Sequence, residues 1–137
     1  MKLVIIESPF AAETKERFEL HIRYARAALR DSLLRGEAPF ASHLLYTQPG
    51  VLDDMDIEER RVGITAGLEW GEWADLVAVY EDLGISPGME QGISTARDRG
   101  MQVEFRRLDP AKLAEIRGAT GQVTVRRSPT EIMETKS

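Results

Sequence analysis

The stretch "EDLGISPGMEQGISTARDRG", Glu81 to Gly100, reads as the end of a strand, a glycine-bearing turn and the opening of a helix. α/β proteins commonly hold an anion at such a place. Ser86 suits the N-cap, and Pro87 lacks an amide that would be unpaired there in any case. The N–H groups around Gly88 and Met89 then point outward at the positive end of a helix dipole, where a phosphate or carboxylate can sit. The same residues also make an ordinary capped helix start, and the sequence leaves both readings open. His21 and His43 are the only histidines. They stand on different elements without metal-ligand spacing, so no metal site is expected. His43 falls near the carboxyl end of the second extended run, where an imidazole could meet a ligand or simply be a satisfied core or surface residue. No G-x-S-x-G elbow marks a serine nucleophile. Glu59 to Arg61 and the arginines of the first helix read as solvated charge, or as help for a phosphate.

The elements that must position these residues follow from periodicity. "KLVII", Lys2 to Ile6, is a β-branched run without helical period and predicts a buried strand ending at Ser8-Pro9. From about Thr14 to Gly36, Phe18, Ile22, Ala25, Leu29 and Leu33 recur at helical spacing and form the expected inner face. "APFASHLLY", Ala38 to Tyr46, is read as the second strand, followed by the turn residues of "TQPGVLDD". A helix is expected over Asp56 to Trp73 with Ile57, Ile64 and Leu68 inward and Trp70 and Trp73 packed on the sheet. "DLVAVY" is a strand covered on both faces, and the Ser86-capped helix follows with Met89, Ile93 and Ala96 buried and Gly100 at its end. "QVEFRRL" is the fourth strand; "DPAKLAEIRG" predicts a short helix, "GQVTVRR" an edge strand, and "SPTEIMETKS" a tail.

Strands alternating with helices at these lengths predict an α/β fold, a doubly wound and mostly parallel sheet between two helix layers, flavodoxin- or Rossmann-like. Such sheets bind ligands beyond the carboxyl ends of their strands. A single domain over residues 1–120 is expected, with an edge strand and tail over 121–137. The 137 residues can bury a core without metals or disulfides. There is no cysteine, so thiolate chemistry and cysteine-bound zinc are excluded. A net charge of -5 speaks against a nucleic-acid polymer as partner. No apolar run reaches membrane-spanning length, and the start "MKLVIIESPF" turns acidic too early for a signal peptide, so a cytoplasmic protein without membrane contact is expected.

Three segments, "IIESPF", "GLEWGEWADLVAVY" and "SPGMEQGISTARDRG", together resemble the nucleoside 2-deoxyribosyltransferase superfamily, with its deoxyribonucleotide N-glycosidases and phage-borne branch. The resemblance runs over residues 2 to 107. It implies that the loop of Ser8, Pro9 and Phe10 holds a sugar or phosphate. It also implies a D-L-x-x-(I/W)-x-x-A-D signature, met here by Leu68, Ala74 and Asp75 but with Gly67 in place of the leading aspartate. A third signature, S-x-G-x-x-x-E-(I/L)-x-x-A, is met by Ser86, Gly88, Ile93 and Ala96, with Gly92 in place of the glutamate that acts at the anomeric carbon.

Cleavage of an N-glycosidic bond needs a carboxylate against the sugar. Glycine supplies none, and Glu90 stands two residues earlier, rotated by about 200° around the helix. Glu7 or Glu69 could reach the site from another element. Two glycines in place of carboxylates would remove negative charge and free volume for a large anionic ligand. The leading expectation is therefore a protein that binds a nucleotide or nucleotide-derived signal without turning it over. In a viral setting it would sequester a host immune nucleotide messenger in the host cytosol, an anti-defence role. The expected ligand-binding residues are Ser8, Pro9, Phe10, His43, Gly67, Ser86, Gly88, Met89 and Gly92, with no cofactor. The alternatives are an active N-glycosidase or 2-deoxyribosyltransferase with a relocated carboxylate, and an interaction subunit with a vestigial pocket. The resemblance also implies a homo-oligomer in which a neighbouring subunit completes each pocket.

Overall fold

A computed structural model describes residues 1–118, arranged as four parallel strands and five helices. The strands are β1 (Leu3–Glu7), β2 (Ala38–Phe40), β3 (Leu76–Tyr80) and β4 (Gln102–Arg106), ordered β2-β1-β3-β4. The helices are α1 (Lys15–Leu34), α2 (Ser42–Leu45), α3 (Ile57–Gly71), α4 (Pro87–Asp98) and α5 (Pro110–Gly118). The fold is thus the α/β, Rossmann-like arrangement expected from the alternating pattern. The expected edge strand "GQVTVRR" and the tail lie outside the described residues.

Side-chain alternation along the strands divides the core in two. Val4, Ile6, Leu76, Ala78 and Tyr80 pack with Tyr24, Ala27 and Ala28 of α1 and Ile116 of α5. Ile5, Val77, Val79 and Val103 pack with Met89, Ile93 and Ala96 of α4 on the opposite face. By the same alternation Glu7, two residues beyond Ile5, points toward α4. The chain goes from β1 to β2 on one side and then returns past β1 to β3, so the strand order reverses between β1 and β3. A crevice opens at that reversal beyond the strand ends.

Polar ties fix the loops at the ends of the sheet. Tyr24 donates its hydroxyl proton to Asp82 at 2.7 Å, and Asp82 N–H donates back at 2.8 Å, pinning the turn after β3. Gly84 closes that turn at φ 90°, a conformation side chains disfavour. Arg106, buried at the end of β4, makes two hydrogen bonds of 2.7 Å to the Glu37 carboxylate, whose pKa is held below the usual range chiefly by that contact. Asp75, part of the signature segment, accepts from Leu3 N–H at 2.8 Å at the far end of the sheet.

Four sequence expectations are corrected. β2 is only three residues long, and Ser42 to Leu45 turns into α2 instead of extending the strand. The inner face of α1 is rotated: His21, Tyr24, Ala25, Ala28 and Ser32 are buried, while Leu33 is exposed. α3 buries none of its residues, and Ile57 and Ile64 are exposed. Trp73 stands exposed, and Trp70, also exposed, touches the sheet only at its edge strand, its ring 5.5 Å from that of Phe40 in β2. α3 leans on the short α2 rather than on the strands, so its apolar residues have little to cover them.

Candidate functional site

At the crevice lies a cavity of about 420 Å³ lined from β1, α2, α3 and α4. It falls within the range of roughly 300–1,000 Å³ typical of small-molecule sites. Of the residues expected to bind a ligand, Ser8, Phe10, His43, Gly67, Ser86, Gly88, Met89 and Gly92 line it. Pro9 does not, being buried in the loop behind it. Glu69 and Glu90 also lie outside the lining, whereas Glu7 is part of it.

Glu7 and Gly92 are built against each other. A Cβ placed on Gly92 would lie 2.3 Å from Glu7 Oε1 and 2.6 Å from its Cδ. Gly92 stands three residues after Met89 and four before Ala96, so it shares the buried face of α4, and Glu7 reaches it by strand alternation. The side chain absent from the helix leaves the space that the strand's carboxyl fills. Gly67 shows the same complementarity: a Cβ there would meet Ser42 Oγ at 2.6 Å. The two glycines therefore do not free volume in the crevice. Glu7 and Ser42 occupy it, and a carboxyl group remains in the cavity although it comes from a different element.

The surroundings of Glu7 are apolar enough that burial pushes its carboxyl up to about 8, with no hydrogen bond or charge among the causes. Next to it Ser8 Oγ and His43 Nε2 are 2.7 Å apart. Burial pulls the His43 imidazole down to about 4, so the ring is neutral at physiological pH. His21 Nδ1 lies 3.0 Å from the Phe10 carbonyl, so both histidines brace the loop of Ser8 to Phe10. The α4 entrance is narrower in donors than the sequence implied. Met89 N–H is capped by Ser86 Oγ at 3.3 Å and Ser86 N–H reaches Met89 Sδ at 3.4 Å, leaving Gly88 N–H as the amide open to a ligand there. Ser42, Asp54 and Thr95 also line the cavity without having been singled out in the sequence, as does Arg60 from the Glu59 to Arg61 run read as solvated charge or as help for a phosphate.

The two shifted groups give stability an asymmetric pH dependence. Native Glu7 keeps its proton up to about pH 8 and the unfolded chain loses it near 4.5, so its contribution is full below 4.5 and lost as pH rises through 8. Native His43 stays neutral down to about pH 4 against 6.5 unfolded, so its contribution is full above 6.5 and lost as pH falls through 4. The slopes oppose each other between 4.5 and 6.5, and only Glu7 acts from 6.5 to 8. At roughly 1.4 kcal/mol per pH unit, wild type should lose about 2 kcal/mol across that upper interval. Urea midpoints at pH 6.5 and 8 should differ in wild type and coincide in Glu7→Gln; an equal fall in both would remove the burial argument.

No described helix is long and apolar enough to cross a membrane. Among the described residues no group of three or more His, Asp or Glu is placed to hold a metal ion. A solved 2-deoxyribosyltransferase from the psychrotolerant bacterium Bacillus psychrosaccharolyticus, described as a biocatalyst for nucleoside synthesis, has the same fold: TM-score 0.54 at 19% identity, over 82% of this chain and 80% of that one. No curated protein matches the chain. The family model described as Domain of unknown function (DUF7768) matches residues 2–106, and the chain belongs to that family.

Proposed function

We propose that the chain cleaves or transfers the N-glycosidic bond of a nucleoside-type substrate, with Glu7 as the carboxylate at the anomeric carbon. The observation that carries this reading is the fit of the Glu7 carboxyl into the space left by Gly92, inside the cavity at the strand-order reversal. The deoxyribosyltransferase fold of the solved neighbour supports a nucleoside-type ligand. Ionised Glu7 attacks the anomeric carbon, the C–N bond breaks, and its electron pair leaves with the base, which takes a proton from solvent. Water or a second base then displaces Glu7 from the sugar. The test is incubation with nucleosides and nucleoside monophosphates, read by chromatography for free base. Release by wild type supports the enzyme; its absence with retained binding supports the second reading.

That second reading is binding without turnover, including sequestration of a host immune nucleotide by a phage protein. It is favoured by one observation: with its carboxyl pushed up to about 8 by burial, Glu7 is mostly protonated at pH 7 and is then no nucleophile.

Either reading places the ligand's anionic part at the Ser86 to Met89 turn. Ser86→Asp keeps a competent N-cap but puts negative charge beside Gly88 N–H. Calorimetry should show at least about tenfold weaker binding of nucleoside monophosphates with an unchanged melting temperature. Unaltered affinity would move the anion elsewhere.

We also propose a homo-oligomer formed through α3, whose Ile57, Val62 and Trp70 are exposed together with the neighbouring Trp73. Light scattering should give a multiple of 15.4 kDa, reduced by Trp73→Glu. A wild-type monomer would remove the proposal.

A further inference from the structure

Beside the cavity at Glu7 lies a second one of about 660 Å³, and the two share Phe10, Ala11, Asp54 and Arg60 in their walls. We infer that they are two compartments of one site, and that its ligand is a nucleoside whose phosphates pass Arg60 and carry a second ring into the neighbouring compartment. The inference rests on the nucleoside-type reading of the Glu7 cavity and names its substrate class, a dinucleotide.

Arg60 is the residue at the junction. The other arginine lining the Glu7 cavity, Arg99, is already engaged with the Leu68 carbonyl at 2.9 Å and with Glu72 at 3.6 Å. The Arg60 side chain has no such partner among the described residues and is exposed at the shared wall, so its guanidinium is available to a phosphate. The second compartment fits a ring rather than another phosphate. Phe10 and Phe18, edge to face at 5.1 Å, line it together with Pro49 and Met55 and offer apolar surface. Asp53 and Glu59 line the second compartment and not the Glu7 cavity, and their carboxylates would repel an anion there and suit a neutral or cationic ring. Phosphate is therefore kept out of the second compartment, and a phosphate that meets Arg60 stands between the two rings of the ligand.

The test uses Glu7→Gln, expected to hold ligands without turnover, and calorimetry with matched probes: nucleoside monophosphates of adenine, guanine, cytosine and uracil, the corresponding symmetric dinucleoside diphosphates, and oxidised nicotinamide adenine dinucleotide. At least one dinucleotide should bind tenfold or more tightly than its matched monophosphate. Adding Arg60→Gln should remove most of that gain, and adding Val51→Trp, which fills the second compartment, should remove it while sparing the monophosphate. No gain across the whole set, or a gain untouched by both substitutions, overturns the inference. Failure of the Glu7 reading looks different, since wild type would then release no base from any probe whatever their relative affinities.

Discussion

Glu7→Gln is expected to lower base release by a hundredfold to about a thousandfold while leaving nucleoside binding within a few-fold of wild type. The amide keeps the shape that fits against Gly92 but cannot attack the anomeric carbon or balance the positive charge that grows on it. The pH profile separates this role from that of a proton donor. A nucleophile must be ionised, so kcat/KM in wild type should rise with pH and level off above about 8, where burial has placed the group. A profile that falls through the same pH would make Glu7 the acid that protonates the leaving base. Full activity in Glu7→Gln would end the enzymatic reading through this residue and return the protein to ligand capture.

The strand and helix order was legible because "KLVII", "DLVAVY" and the Ser86-Pro87 cap are local signals that tertiary structure had no reason to override. β2 was misread because "SHLL" was counted into the apolar run, although Leu44 and Leu45 are good helix formers and Ser42 to Leu45 forms α2. α3 was misread because an amphipathic pattern assumes a layer to pack on, and this helix sits at the rim, where Ile57 and Ile64 meet solvent.

The candidate site was half legible. Its location followed from topology, and both glycines were visible as departures from a carboxylate-bearing pattern. What each glycine meant was not visible, since a missing side chain reads as open space in one dimension and only the fold shows what fills it. The parity of β1 held the clue: Ile5 and Glu7 share a face, and that face is covered by the helix carrying Gly92. Arg60 was legible only as one of the charges of Glu59 to Arg61 that could help a phosphate, and its place where two cavities meet needed the fold.

Gly92→Ala is expected to yield a protein as stable as wild type and almost inactive. Alanine is favoured over glycine in a helix interior by about 1 kcal/mol. The atom its Cβ would meet is the end of the Glu7 side chain, which can swing away without moving backbone. Stability is thus retained while the carboxyl is driven from its seat, a separation that an ordinary cavity or packing mutation would not produce. Gly92→Glu alone should be worse in both respects, because two carboxyls would compete for one apolar space and at least one would be displaced or kept protonated. The decisive variant exchanges the two positions. Glu7→Gly with Gly92→Glu places the carboxyl on the helix and clears the strand, leaving the composition unchanged. If the two residues are alternative ways of presenting one carboxylate to one point, the double variant should release base at least about tenfold faster than Glu7→Gly alone. It should also bind nucleosides with near wild-type affinity. A double variant no more active than Glu7→Gly, though folded and still binding ligand, would show that Glu7 needs its place on the strand and that the complementarity with Gly92 is packing alone.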